Sequence, residues 1–411
     1  MEFIMALQEN VSSEIRFVDE VTWGEAPVAA TTVQSLRRVS STLSLTKDTY
    51  AASEVRTDRQ ISDFRHGVRR GAGDVSGELS PSTYEAFMEA ACRGTWAAQA
   101  DVTQATGAMS SATVSVSSNV ITASAGSFIT SGLTVGMVIR LTAGFAAGNL
   151  NKNLTITAIT ATTLTVVGAT LTNEAGPIAA WTIDVPGKSV YIPASGHVNR
   201  SFAIEINYPD IDVSELYTGI RVGRMQIGLP ASGMATATFG LMGKDAQYLS
   251  GANAPYFTGT VTAPTSTGIL AAVNGSLLVA GVAVGVVTGM ELTMDLAPQS
   301  DAVVGSNSVP AIFLGTANVT GNMTVLFQDD TFLQNFDDET EVSVMLRMDV
   351  DSSANSDFIQ IVLPRIKFGT AGISRQGNGG IPVSMSFQAL KKATTTGWPA
   401  TTLLIQDSLV S

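Results

Sequence analysis

The chain has 411 residues, 45% of them hydrophobic and only 14% charged, with 38 glycines. That profile belongs to a β-rich, compactly folded protein with room for two or three domains, and excludes a disordered one. A net charge of −12 argues against a general nucleic-acid binder; one cysteine and two histidines leave no disulfide framework, no cysteine-rich metal site and little general-base chemistry.

In chain order, Met1–Phe17 has no basic region and no sustained apolar run, so no signal peptide is expected. Period-two alternation then predicts strands at Ser41–Asp48 (STLSLTKD) and Gly73–Ser80 (GDVSGELS). Ser80 as N-cap, Pro81 as first helical residue and Gly94 as C-cap bracket a helix with Tyr84, Phe87, Met88 and Ala91 on one face. Further strands are predicted at Ser201–Tyr208, Ala235–Met242, Gly289–Leu296, Glu341–Met348, Phe358–Leu363 and Pro382–Leu390. A second helix is predicted over Asp329–Glu339, with Phe332, Leu333 and Phe336 on one stripe. Leu277–Val287 (LLVAGVAVGVV) is far shorter than the roughly 20 residues of a membrane helix and reads as a buried strand.

The pattern repeats internally. VSGELS from Val75 matches VTGNMT from Val319, each followed by a helix, and TLSLTKD from Thr42 matches ELTMDLA from Glu291. Downstream, FAIEINYPD from Phe202 matches VSVMLRMDV from Val342, RMQI from Arg224 matches RIKF from Arg365, and ATATFGLMGK from Ala235 matches VSMSFQALKK from Val383. Val75 and Val319 lie 244 residues apart, but Phe202 and Val342 only 140, so the first copy holds 104 extra residues. Residues 95–197, rich in Ser, Thr and Ala and nearly uncharged, fill that gap and read as a small inserted β-domain.

No catalytic fingerprint survives inspection. PGKS (Pro186–Ser189) has Thr182 where a phosphate loop needs glycine, and reads as a turn. RHGVRRGAG (Arg65–Gly73) leads into a strand without the G-x-G-x-x-G spacing, and reads as a hairpin or extended loop. DVDSSANSD (Asp349–Asp357) lacks the central glycine of a calcium loop and has Gln360 where the bidentate Glu belongs, so it reads as a polar hairpin. No enzyme, metal or cofactor is expected.

The segments RTDRQISDFRHGVRRGAGDVSGELSPSTYEAFMEAACRG and GIRVGRMQIGLP…ATATFGLMGKD resemble the major tail (tail tube) proteins of long, non-contractile phage tails. So do GNMTVLFQDDTFLQNFDDETEVSVMLRM and FIQIVLPRIKFGTAGI…IPVSMSFQALKK in the second half. The resemblance implies a mainly β fold: two tandem tail-tube-type β-sandwich domains, each with a flanking helix, plus the inserted all-β domain on the outer surface. It implies a structural virion protein, made in the host bacterial cytoplasm, whose rings stack into a tube for DNA ejection. Single-domain members form hexameric rings, so a duplicated chain is expected to form a trimer, a pseudo-hexamer, in preference to a hexamer. Partners implied are the chain itself, tail-tip, tape-measure and tail-terminator proteins, and double-stranded DNA passing non-specifically; no membrane is implied. A β-rich surface adhesin or virion decoration protein, acting through the insert, is the alternative.

On this reading residues 1–36 and 397–411 are arms, 37–94 with 198–250 the first tube domain, 251–285 a linker and 286–396 the second tube domain. Strand parity makes Thr42, Ser44, Asp74, Ser76, Glu78, Glu291, Thr293, Asp295, Asn318, Thr320 and Asn322 lumen candidates, since an acidic or neutral wall lets a duplex slide. Asp48–Arg70 is too long for a hairpin turn and is expected to project as an inter-ring loop, with Glu54, Arg56, Asp58, Arg59, Asp63, Arg65, Arg69 and Arg70 as docking candidates.

Overall fold

The computed structural model describes residues 7–285, 287–375, 379–393 and 397–411. It is mainly β, with two α-helices among the described residues. Outside the insert we number the strands β1 (Glu14–Asp19), β2 (Val33–Ser35), β3 (Ser44–Ala51), β4 (Phe64–Glu78), β5 (Lys188–Tyr191), β6 (Phe202–Tyr208), β7 (Val213–Pro230), β8 (Thr236–Gly243) and β9 (Asp245–Ser250). The second half adds β10 (Gly275–Val279), β11 (Val282–Ala283), β12 (Val287–Asp295), β13 (Asn318–Leu326), β14 (Val342–Asp349), β15 (Phe358–Ile373), β16 (Pro382–Ala389) and β17 (Leu404–Asp407). Helix α1 is Glu85–Cys92 and α2 is Thr331–Asp337.

The strands make two copies of one antiparallel unit. In the first, β4 pairs with β3 and β8, β8 with β7, and β7 with β6 and β9, while β6 pairs with β1 and β1 with β2. In the second, β13 pairs with β12 and β16, β16 with β15, and β15 with β14 and β17, while β14 pairs with β10 and β10 with β11. The long strands β7 and β15 bulge near Val222 and near Phe368, and each runs from an outer sheet into an inner one. Between the sheets lies one apolar core, including Phe87, Phe202, Phe239, Met294, Ile361 and Phe387. Removing such side chains from water, at roughly 25 cal/mol per Å² of apolar surface, is what holds the sandwich together.

Three boundaries differ from the sequence reading. β1, within the expected N-terminal arm, buries Ile15 and Phe17; β10, within the expected linker, pairs with β14; and β17, within the expected C-terminal arm, buries Leu404 and Ile405. Strands of four to six residues carry too few alternations to be read as such. Residues 1–6, the head of the expected arm, lie outside the described residues. Leu277–Val287 is not one strand either: it folds back at Ala280 (φ 51°) and Gly281 (φ 78°) into the β10–β11 hairpin.

The first helix starts at Glu85 rather than next to Ser80, whose hydroxyl instead meets that of Thr83 at 2.7 Å. Its left-handed terminus is Arg93 (φ 52°), not Gly94. Gly94 is needed for proximity, because a Cβ there would stand 2.5 Å from the Tyr191 carbonyl oxygen. β6 does not alternate in burial: Phe202, Ile204 and Ile206 face the core, and Ala203 and Glu205 are covered on the other side. The Glu205 carboxylate there accepts the Tyr256 and Phe257 amides.

Residues 102–184 form a separate eight-stranded sheet around Trp181, Phe128, Ile139 and Leu164. It packs on the second copy's outer sheet, Val135 meeting Leu278, Met345, Val362 and Leu404. Gln406, fully buried, donates to the Val138 and Pro186 carbonyls at 3.1 and 3.0 Å and accepts the Val138 amide at 2.8 Å. Arg140 donates to the Asn355 and Ser356 carbonyls, both at 3.1 Å.

Candidate lumenal face and assembly edges

The inner halves of the two copies are one sheet, in the order β3-β4-β8-β7-β12-β13-β16-β15. The joint is β7 against β12, from Arg224 opposite Asp295 to Pro230 opposite Gly289. Residues opposite one another share a face. One row runs Ser76, Thr238, Gln226, Thr293, Thr320, Gln388. Its neighbours run Asp74, Gly240, Arg224, Asp295, Asn318 and Glu78, Thr236, Gly228, Glu291, Asn322, Ser386.

Ser44 stands opposite Ala72, and Thr42 hydrogen-bonds Asp74, so all the lumen candidates fall on this single polar face. The opposite face carries Val75, Phe239, Ile227, Leu292, Val319 and Phe387, all buried. Sequence reading missed Arg224, Gln226, Thr238, Ser386 and Gln388 on the polar face. Their signal was present as the same alternation in RMQI, ATATFGLM and PVSMSFQAL.

The face is knitted by its own side chains. Arg224 pairs with Asp74 at 2.9 Å, Gln226 donates to Glu291, and Gln388 donates to Asn318 at 2.9 Å. Asp74, Glu78, Glu291 and Asp295 outnumber Arg224 and Lys367 along these rows. Exposed pairs of this kind contribute at most about 1 kcal/mol each, so their main effect is on the sign of the charge this face carries.

Among the described residues the sheet ends in two edges with one neighbour each. β3 pairs only with β4, and the inner half of β15 only with β16. An exposed edge presents unpaired N–H and C=O groups and invites another strand.

The expected long loop is mostly a hairpin. β3 and β4 stay paired from Ser44 opposite Ala72 to Ala51 opposite Phe64, leaving only residues 52–63 as connection. Arg65, Arg69 and Arg70 therefore sit on β4 rather than on a loop. Arg69 is taken up by Asp245 at 2.6 Å and Arg70 by Asp48 at 2.8 Å. At the tip, Arg56 pairs with Asp58 at 3.0 Å and approaches Glu54 at 3.8 Å, and Arg65 pairs with Asp63 at 2.8 Å. The Arg56 guanidinium holds the Asp58 carboxyl below the usual carboxylate range. Arg59 makes no ion pair among the described residues, and Val55 and Ile61 stand exposed beside it.

No group of His, Cys, Asp and Glu among the described residues could hold a metal ion. Cys92 is buried, and desolvation pushes its thiol up to about 12, so it is inert. No helix among the described residues is long and apolar enough to cross a membrane.

The fold is a duplicated β-sandwich with a continuous polar face and two open edges, and its described residues carry the marks of a structural protein. The family model for phage tail tube proteins matches residues 11–389, nearly the whole chain, and the chain belongs to that family. It is a structural component of the virion tail. No curated protein matches it.

Proposed function

We propose that three copies of this chain close edge to edge into a ring, and that rings stack into the conduit for DNA ejection. One observation carries this. The joint between β7 and β12 inside the chain is the joint that β15 and the next subunit's β3 would make, because β15 repeats β7 and β12 repeats β3. Three eight-strand sheets then form one closed barrel without free edges. The bulges at Gly223 and Gly369 fix the repeat of β7 in β15; carrying the internal register along it, from Gln226 to Gly372 and from Thr293 to Ser44, sets Gly372 opposite Ser44 of the partner subunit.

The polar face lines the lumen in this arrangement, and its excess of carboxylates keeps duplex phosphates from adhering. The insert, on the far side of the outer sheet, stays clear of the passage. The β3–β4 hairpin docks on the adjacent ring, with Arg59, Val55 and Ile61 at its tip. Tail-tip, tape-measure and tail-terminator proteins would meet the ends of such a tube.

Negative-stain electron microscopy with solution mass tests the reading. Hollow rings or tubes with three subunits per ring are expected; six subunits per ring would overturn the trimer and keep the tube. The double variant Gly372→Cys/Ser44→Cys should give a closed disulfide-linked trimer on mild oxidation, and a chain that stays monomeric at high concentration would overturn the ring itself.

A further inference from the structure

The strand that closes over α1 comes from the second copy. β17 pairs with the outer half of β15, Ile359 opposite Asp407 and Ile361 opposite Ile405. Its other edge holds β5, with Val190 opposite Ile405. β5 in turn lies against the C-terminal end of α1, where the Tyr191 carbonyl closes on Gly94. At the other end of the helix the Asp407 carboxylate accepts the Ser82 amide at 2.8 Å. The row Ile361, Ile405, Val190 is buried throughout.

β9 is the same strand in the first copy. Gly369, the bulge of β15, lies 146 residues after Gly223, the bulge of β7. β9 pairs with the outer half of β7, Val213 opposite Ser250 and Glu215 opposite Tyr248. The same step of 146 residues carries Val213 to Ile359 and Glu215 to Ile361. Ser250 therefore stands for Asp407, and Tyr248 for Ile405. Here the row stops at Tyr248, because no third strand pairs with β9 among the described residues. Gln247, Tyr248 and Ser250 are exposed, Tyr248 by 62%.

α2 is the helix left without such a strand. Counted from the ends of β4 and β13, Glu78 and Leu326, Phe336 stands where Met88 stands in α1. Met88 is 1% exposed and Phe336 38%. Residues 338–341, which lead from α2 into β14, are all exposed. The two unfinished surfaces flank the two open edges of the inner sheet. α2 packs on β15, and β9 lies beside β4 with Asp245 held by Arg69 at 2.6 Å. Pairing β15 of one subunit with β3 of the next brings them together.

We infer that β9 of one subunit covers α2 of its ring neighbour, as β17 covers α1 within the chain. Tyr248 of the partner subunit lies over Phe336, an aromatic pair of the kind that anchors protein interfaces. The Ser250 end of the strand meets the turn into α2. The inference rests on the ring reading above and deepens it, giving each subunit boundary an outer side-chain contact separable from the inner backbone joint.

Full-length Tyr248→p-benzoylphenylalanine protein, photolysed after assembly and digested for mass spectrometry, tests it. A cross-link from position 248 to residues 331–341, present in the assembled fraction and absent from the monomer, is expected. The control for the ring is the Gly372→Cys/Ser44→Cys variant. If the control links and position 248 does not reach α2, the outer contact is wrong and the ring stands. If the control does not link and no cross-link forms, the contact falls together with the ring. As a second readout, Tyr248→Asp should leave the monomer's melting temperature unchanged and raise the concentration needed for assembly by roughly tenfold or more. An unchanged assembly threshold would overturn the inference.

Discussion

The two copies share one topology but differ at their helices. α1 buries Phe87, Met88, Ala90, Ala91 and Cys92, whereas no residue of α2 is buried. The cause lies in what surrounds them. Over α1 close β5, Leu270 and the C-terminal strand, with the Asp407 carboxylate accepting the Ser82 amide at 2.8 Å. Around α2 the Phe332 ring meets Phe368 edge-on at 6.2 Å, and the other side is open. The connecting hairpins differ likewise. In the first copy β3–β4 projects, while residues 296–317 of the second fold back against its base, Val309 and Ile312 packing on Val68. A duplicated unit completes one of its interfaces within the chain and leaves the equivalent one exposed, so the exposed one is the place to look for assembly.

The largest test of that contrast is at the helices. Phe87→Ala should cost about 3–5 kcal/mol in chemical denaturation of the monomer, and Phe332→Ala only about 1 kcal/mol. Equal costs would show that α2 is not the open member of the pair. Replacing residues 102–184 by a short Gly-Ser linker removes the cover from Leu278, Met345, Val362 and Leu404. We expect a fold that survives with a melting temperature lower by roughly 5–10 °C; an unchanged value would mean that the insert adds nothing to the second copy.

Asp407 gives the contrast a pH signature. Burial pushes its carboxyl up from 3.8 to about 6, so the folded state holds a proton that the unfolded state has released. Stability from this group is therefore present below about pH 4 and declines as pH rises towards 6, by at most about 3 kcal/mol. Asp407→Asn should flatten that part of the stability profile, and a profile of unchanged slope would contradict it. The smallest effects belong to the exposed residues. Arg59→Glu with Arg65→Glu should leave stability within about 0.5 kcal/mol while lowering the yield of tubes, read by sedimentation. Undiminished yield would remove the hairpin tip from ring stacking.

Alternation made most of the long strands legible, because each has a dry side and a wet side and the side chains report both. The polar parity of Asp74, Ser76 and Glu78 could be read without coordinates. The same rule found β6 but not that both its faces are covered, and it failed for β1, β10 and β17, too short to show a period. The helix start failed at Ser80, since a serine bonded to Thr83 looks in sequence like one that caps a helix. Arg69 and Arg70 looked free because their partners, Asp245 and Asp48, are brought to them by pairing along the hairpin.

What the sequence by itself determined is the unit: alternating strands around a helix, repeated, with a low-charge insert between them. Those are local properties, set by side-chain period and composition. Only the tertiary structure decided that the two units share one inner sheet, that the supposed arms and linker are strands of the outer sheets, and that one helix is covered and its twin is not. Each of these depends on which edges meet, and edge pairing is made by backbone groups that every residue carries alike.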